Sequence, residues 1–285
     1  MSVITEKAYA KINLGLNILG KRPDGYHEVA MVMQSVGLAD TITLQPAEEL
    51  QVTCNLEGLS CDQSNLATRA ALLLAQEAGL KPQARIHLEK KIFLAAGLAG
   101  GSTDAAAVLR GLNKLWGLGY NNDMLRYLAA QLGSDVPFCI EGGTALATGR
   151  GERIKALPDL PETCCVLAKP RGVEVSTAWV YTHYDPRRVV RIPNIYALQD
   201  HVAEGGMKLR PFLGNVLETV TIPKLPLLAS IKAAMLEAGA YYAMMSGSGP
   251  TVFALAADQD SAEKIMERLA DFDVETALTT TVRRK

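Results

Sequence analysis

Charge of one sign is what this chain lacks most plainly: 29 basic residues stand against 30 acidic ones, a net −1 with histidine neutral. No bulk field therefore draws it to nucleic acid or to an anionic membrane. The basic end Arg283-Arg284-Lys285 is too short to change that. Cysteine is scarce as well. Cys54, Cys61, Cys139, Cys164 and Cys165 form no C-x-x-C pair, are odd in number, and make no metal set with the four scattered histidines. Reduced, mostly buried thiols in a cytoplasmic protein are the expectation. No uninterrupted apolar run is long enough to span a bilayer, and the N-terminus carries no signal-peptide pattern. Internal repeats and low-complexity segments are missing too.

What remains is an ordinary globular composition, 48% hydrophobic and 21% charged over 285 residues, enough for a substantial core in one or two domains. The stretch that stands out is Ala95-Ala96-Gly97-Leu98-Ala99-Gly100-Gly101-Ser102-Thr103, which runs directly into a helical pattern carried by Ala105, Val108, Leu109, Leu112, Leu115 and Trp116. Ser102 reads as its N-cap, with the glycines turning backbone N–H groups toward one point. A helix N-terminus of this kind suits a phosphate, although a flexible loop needing only small residues would read the same. The spacing fits neither a Walker loop, which needs Lys where Gly101 stands, nor a G-x-G-x-x-G dinucleotide loop.

Ala8–Ile18 alternates as a strand with Ala10, Ile12 and Leu14 on one face and Tyr9, Lys11 and Asn13 on the other. From the strand alone, the second face reads as solvated. Arg22-Pro23-Asp24-Gly25 is a turn that presents Tyr26 and His27. Strands are predicted over 28–36, 40–45, 50–55 and 84–90, and helices over 65–79 and over 122–132, the latter capped by Asn122. Gly133-Ser134-Asp135-Val136-Pro137 reads as a turn that leaves Asp135 at the mouth of a following strand. The Pro-rich stretch 157–162 marks a candidate boundary. Beyond it, helical segments are predicted over 176–181, 195–203, 211–217 and 227–238. Strands are predicted over 163–168, 252–256 and 275–283, and a helix capped by Asp260 precedes the last of them. Mixed strands and helices in two halves make the class α+β.

Three separated motifs, AKINLGL at 10–16, AAGLAGGSTDAAA at 95–107 and MSGSGPTVF at 245–253, together resemble the GHMP small-molecule kinases. RPDGYHEV and GSDVPFC resemble in particular the branch acting on diphosphocytidyl alcohols in non-mevalonate isoprenoid synthesis. Phe93 departs from the Pro usual in that family just before the loop.

The resemblance implies two α+β domains, 1–158 (with a ribosomal-protein-like N-terminal half) and an α/β C-terminal half at 159–285, with a cleft between them. It implies ATP and Mg²⁺ as cofactors and a cytidine diphosphate alcohol as partner, without nucleic acid or membrane, in a monomer or weak dimer. ATP would be held by Ala95, Ala96, Gly97, Leu98, Ala99, Gly100, Gly101, Ser102 and Thr103, with Asn65 and Lys91 toward the adenosine and the hydroxyls of Ser102 and Thr103 near the metal. Asp135 would be the base, with Lys11 nearby to keep it ionised and to meet the γ-phosphate. Asn13, Tyr26, His27, Thr177, Tyr181, Gly247 and Ser248 would contact the acceptor. A homoserine- or mevalonate-type kinase, and a non-catalytic nucleotide binder, are the alternatives. Tyr26-His27 argues against the first, and the retained Lys11 and Asp135 argue against the second.

Overall fold

A computed structural model describes residues 3–206 and 208–284. Its contacts divide the chain into two units that interleave along the sequence. One takes the chain up to Ala10, Leu38–Ile92 and Ala99–Glu141; the other takes Lys11–Gly37, Phe93–Leu98 and the chain from Gly142 onward.

The first two strands, β1 (Ile4–Lys21) and β2 (His27–Gln45), each contribute to both units. The two strands predicted over 28–36 and 40–45 are thus one. Gly37 does not break it, because the backbone there stays extended and buried residues continue on either side. In the first unit β3 (Gln51–Cys54) runs parallel to β4 (Arg85–Glu89), and β4 pairs antiparallel with Thr41–Gln45 of β2. Between them lies α1 (Leu66–Glu77), capped by Asn65, whose side chain accepts from the Ala67 N–H at 2.9 Å. Three helices follow: α2 (Gly100–Leu115), α3 (Asn122–Leu132) and α4 (Val136–Glu141). α2 packs against α1 and α4. Its run of alanines and Val108, Leu109 and Leu112 is buried with Leu74 and the sheet residues Ile42, Leu44, Ile86 and Leu88. From its outer turns Arg110 and Lys114 reach Glu6 at 3.1 and 2.5 Å. Burial would raise the Glu6 carboxyl, yet these two bonds hold it below its ordinary value.

The second unit pairs Val29–Gln34 of β2 with β5 (Thr144–Gly149), which turns back into β6 (Arg153–Ala156). Then come β7 (Cys164–Pro170), α5 (Thr177–Thr182), α6 (Ile195–Ala203) and the short β8 (Gly214–Asn215), parallel to Gly15–Leu16 of β1. The rest is α7 (Glu218–Lys224), α8 (Leu227–Glu237), β9 (Tyr242–Met245), β10 (Val252–Ala256), α9 (Gln259–Leu269) and β11 (Val274–Thr280). An antiparallel sheet of order β11-β7-β10-β9 is covered by α8 and α9. Ile231, Met235, Ile265 and Leu269 are buried with Val166, Leu167, Met244 and Phe253.

Several local expectations need correcting. Residues 211–217 are not helical: Asn215 is drawn into a bridge with β1, and its carboxamide oxygen accepts from the Leu217 N–H at 2.9 Å. Asn121 rather than Asn122 caps α3, accepting from Met124 N–H at 2.9 Å, and Asp258 rather than Asp260 caps α9. In both, the cap lies just upstream of the predicted one. Asp135 precedes a helix, α4, and not a strand; its carbonyl accepts the Cys139 N–H, and Pro137 sits where α4 needs no donor. Only Cys139 and Cys165 are buried, the other three cysteines being half-buried. Among the described residues no single helix is long and apolar enough to cross a membrane.

Gly111 marks how closely α2 approaches the sheet: a Cβ there would stand 2.5 Å from Leu44 Cδ1. Gly111→Val is expected to lower unfolding stability by about 1–3 kcal/mol through overpacking, read as a lower urea midpoint. An unchanged midpoint would show that Leu44 yields without cost.

Candidate active site

The glycine stretch is built differently from a capped helix. α2 begins at Gly100, two residues before Ser102, and the residue at its N-cap is Ala99, with φ 60° and no side-chain cap. Ser102 lies inside the first turn, half-exposed, because both glycines accept helical torsions. Ala95 (φ 48°), Gly97 (φ 73°) and Ala99 (φ 60°) are left-handed, alternating with Ala96 and Leu98, which are not. Such alternation curls successive N–H groups into an anion-binding concavity. The first N–H groups of a helix have no intrahelical partner, and the N-cap Ala99 of α2 supplies them no side-chain acceptor.

The carbonyls of this loop point the other way and are used by the second unit. Ala96 O accepts from Thr251 N–H at 3.4 Å, and Leu98 O accepts from Lys11 N–H at 3.1 Å. Gly97 O accepts both the Lys11 ammonium at 3.0 Å and the Ser246 hydroxyl at 3.1 Å. A Cβ on Gly97 would stand 2.4 Å from Ser246 O, so only glycine fits.

Lys11 and Asn13 are 4% and 1% exposed, which overturns the solvated face expected from the strand alone. Lys11 Nζ donates to Asn13 Oδ1 at 2.8 Å, and Asn13 Nδ2 donates to Met31 Sδ at 3.2 Å. The segment Ser246–Thr251 is the loop of a hairpin, since Met245 pairs with Val252. It also comes against this pair: a Cβ on Gly247 would lie 3.3 Å from Lys11 Nζ and 3.4 Å from Asn13 Oδ1. Asn215 holds the loop from behind, donating to Met245 O at 2.9 Å and Gly247 O at 2.7 Å, and Thr221 donates to Ser248 O at 3.1 Å. Neither residue was legible in the sequence; the signal available for Asn215 was an Asn after Gly214 inside a segment read as helix.

The proposed acceptor contacts form a connected row in the second unit. The hydroxyls of Ser248 and Thr177 are 2.9 Å apart. Tyr181, one turn along α5 from Thr177, faces His27 with ring centroids 5.6 Å apart. Asp24 accepts the Tyr26 N–H at 3.1 Å and fixes the turn, while Tyr26 stays 53% exposed with Arg150 over its ring at 5.2 Å. Tyr26 thus stays exposed with Arg150 over one face of its ring, and His27 is half-buried. Burial, then the charge of Lys21, holds the His27 ring below its ordinary 6.5.

In the first unit, Asp135 is half-buried in the turn before α4. Thr103 is buried and donates its hydroxyl to Tyr9 O at 2.8 Å, which leaves Ser102 as the hydroxyl at the surface. Asn65 has both ends engaged, as cap of α1 and as donor to Ser60 O at 2.8 Å. Lys91 is exposed, with its N–H given to Asp40 at 2.5 Å. Sequence reading missed the buried cluster of Asp40, Lys90 and Asp104 beside these residues. Burial pushes the Asp104 carboxyl up to about 7 against the pull of Lys90. Among the described residues no three His, Cys, Asp or Glu side chains gather as a metal cage.

Residues 65–143 match the family described as GHMP kinases N terminal domain, and residues 196–274 match GHMP kinases C terminal. The 4-diphosphocytidyl-2-C-methyl-D-erythritol kinase of Acaryochloris marina is 46% identical, covering 98% of this chain and 96% of its own. That of Enterococcus faecalis is 44% identical, covering 98% and 99%. The crystal structure of a 4-(cytidine 5'-diphospho)-2C-methyl-D-erythritol kinase superposes with a TM-score of 0.83 at 35% identity, over 98% and 99% of the two chains. Homoserine kinase from Cytophaga hutchinsonii superposes at 0.79 with 20% identity, over 100% and 96%, and shares the fold alone.

His27 is expected to titrate below 6.5, so its ring is neutral at pH 7 to 8 and keeps one nitrogen as acceptor. Acceptor affinity should be flat above pH 7 and fall on acidification as the ring gains its proton. A histidine NMR titration with a midpoint at or above 6.5 would contradict this.

Proposed function

The chain belongs to the GHMP kinases, in the 4-diphosphocytidyl-2-C-methyl-D-erythritol kinase branch, and we propose how its residues divide the work of that reaction. It is an ATP-dependent kinase that phosphorylates the 2-hydroxyl of 4-diphosphocytidyl-2-C-methyl-D-erythritol, giving the 2-phosphate and ADP in isoprenoid precursor synthesis. The assignment of the phosphate site rests on the uncapped start of α2 with its alternating left-handed residues.

In phosphoryl transfer the protein mainly positions groups and stabilises charge. The amides from Gly97 to Ser102 hold the phosphates of ATP. Mg²⁺ would come with the nucleotide, as suits an ion that needs no all-protein cage. It would supply neutralisation of phosphate charge, and the half-exposed Ser102 hydroxyl on the first turn of α2 would be the side chain to hold it. The acceptor oxygen attacks the γ-phosphorus, the bond to the β–γ bridging oxygen breaks, and ADP leaves with that electron pair. Asp135 accepts the hydroxyl proton, and the Lys11 ammonium offsets charge on the transferring group. Asn13 directs the acceptor alcohol. Tyr26 and Tyr181 offer flat faces to the cytosine, while neutral His27 reads its edge. Thr177, Gly247 and Ser248 line the path between. The division of the chain at 158/159 into two family domains belongs to the same proposal.

The test is ADP release from ATP and Mg²⁺ with a panel of acceptors: the cytidine substrate, its uridine counterpart, homoserine and mevalonate. Turnover is expected with the cytidine substrate and strongly reduced with the uridine one, whose donors and acceptors are exchanged. Equal kcat/KM on both would remove the cytosine-reading role. Asp135→Asn is expected to lower kcat by about two to four orders of magnitude with ATP affinity kept. A change within a few-fold would reduce Asp135 to a turn residue.

A further inference from the structure

Three ionisable side chains that the reaction does not use meet inside the first unit. Lys90 Nζ lies 2.5 Å from Asp40 Oδ2 and 2.5 Å from Asp104 Oδ2, and none of the three side chains is more than 4% exposed. They come from three places. Asp40 is on β2, Lys90 directly follows β4, and Asp104 is the fifth residue of α2. The other oxygen of Asp40 accepts the N–H groups of Lys91 at 2.5 Å and Ile92 at 2.8 Å. Residues 90–92 are the chain entering the loop Phe93–Leu98, and Asp104 lies in the helix that leaves it. The cluster therefore joins the entrance of the glycine loop to its exit. Lys90 Nζ also stands 3.7 Å from where a Cβ on Gly100 would be, beside the first residue of α2.

Stability alone is a poor reason for such a cluster. Removing three charges from water is costly, and apolar side chains of similar volume often serve a core as well or better. Two carboxylates share one ammonium, and Asp104 Oδ1 has no hydrogen-bond partner among the described residues. What ionic hydrogen bonds supply and apolar contacts do not is direction. Four such bonds converge on the two ends of one loop. A phosphate cradle made of backbone amides depends on that, because small displacements of a positioned group have large effects on binding and rate.

We propose that Asp40, Lys90 and Asp104 form a clasp that sets the separation and direction of the two ends of the glycine loop, and so aims its amides at the phosphates of ATP. They are positioning residues, acting through the loop without touching the nucleotide. The inference rests on the assignment of that loop to ATP.

The experiment is calorimetric titration of the full chain with a non-hydrolysable ATP analogue and, separately, with cytidine diphosphate, beside steady-state kinetics and melting curves. Asp104→Asn keeps the side-chain shape and leaves the Lys90–Asp40 pair intact; Asp40→Asn keeps an acceptor for the N–H groups of Lys91 and Ile92. For both, affinity for the analogue is expected to fall about tenfold, as for other residues that orient a binding group at one remove. KM for ATP should rise in step, while affinity for cytidine diphosphate stays within about twofold, as follows for a site whose groups are held elsewhere. A lower melting temperature with analogue affinity unchanged in the folded variants would make the cluster an ordinary core ion group and overturn the clasp. Equal losses for analogue and cytidine diphosphate would overturn it too, as general loosening. An analogue that fails to bind the unmodified chain would remove the phosphate loop itself, and the clasp with it.

Discussion

The carbonyl of Gly97 receives an ammonium and a hydroxyl from residues 86 and 149 positions away. Lys11 is nearly buried, and a buried ammonium is tolerable only where acceptors stay in place around it. Gly97 O and Asn13 Oδ1 are two such acceptors, and both are rigidly held. Lys11 lies on a strand, Asn13 on the same strand face, and Gly97 at a point of the backbone where no Cβ can fit. The hairpin loop Ser246–Thr251 comes to the same carbonyl through the Ser246 hydroxyl, so β1, the glycine loop and the hairpin share one hydrogen-bonded junction. That constraint sets the position of the glycine loop against β1 and the hairpin in the second unit.

Strain in the loop is consistent with this. Ala95 and Ala99 sit in the left-handed region, where a non-glycine residue costs roughly 1–2 kcal/mol. The surroundings hold them there: Ala96, Gly97 and Leu98 each give a carbonyl to the protein. With its carbonyls engaged on one side, the loop presents its amides on the other. A side-chain cap at the start of α2 would satisfy those amides internally and compete with a phosphate, and none is present.

The side chains proposed for acceptor recognition are held by a different device. His27 meets Tyr181, Thr177 lies one turn before Tyr181 on α5 and shares a hydrogen bond with Ser248, and the neighbouring Gly247 lies against Lys11 and Asn13. A turn closed by Asp24 and a single short helix suffice to bring them into line. The proposed cytosine contacts and the proposed phosphate loop are therefore supported by separate parts of the chain.

Local patterns determined much of this. Alternation made β1 a strand with Lys11 and Asn13 on one face, small residues before an apolar helical period marked the loop and α2, and Pro23-Asp24-Gly25 marked the turn that presents Tyr26 and His27. These signals lie within a few residues of what they specify. The ordered set of motifs was enough for the family. The caps of α3 and α9 fell one and two positions from where the sequence put them, because neighbouring Asn and Asp residues offer nearly equal caps, and α2 starts three positions early, at an N-cap Ala99 that supplies no side chain. Burial of the Lys11–Asn13 face, the use of Asn215 to hold a distant loop, and the meeting of Asp40, Lys90 and Asp104 were decided only in the folded chain. Each depends on partners tens to hundreds of residues apart. A strand's periodicity says which side chains share a face, but only the tertiary structure says what covers that face.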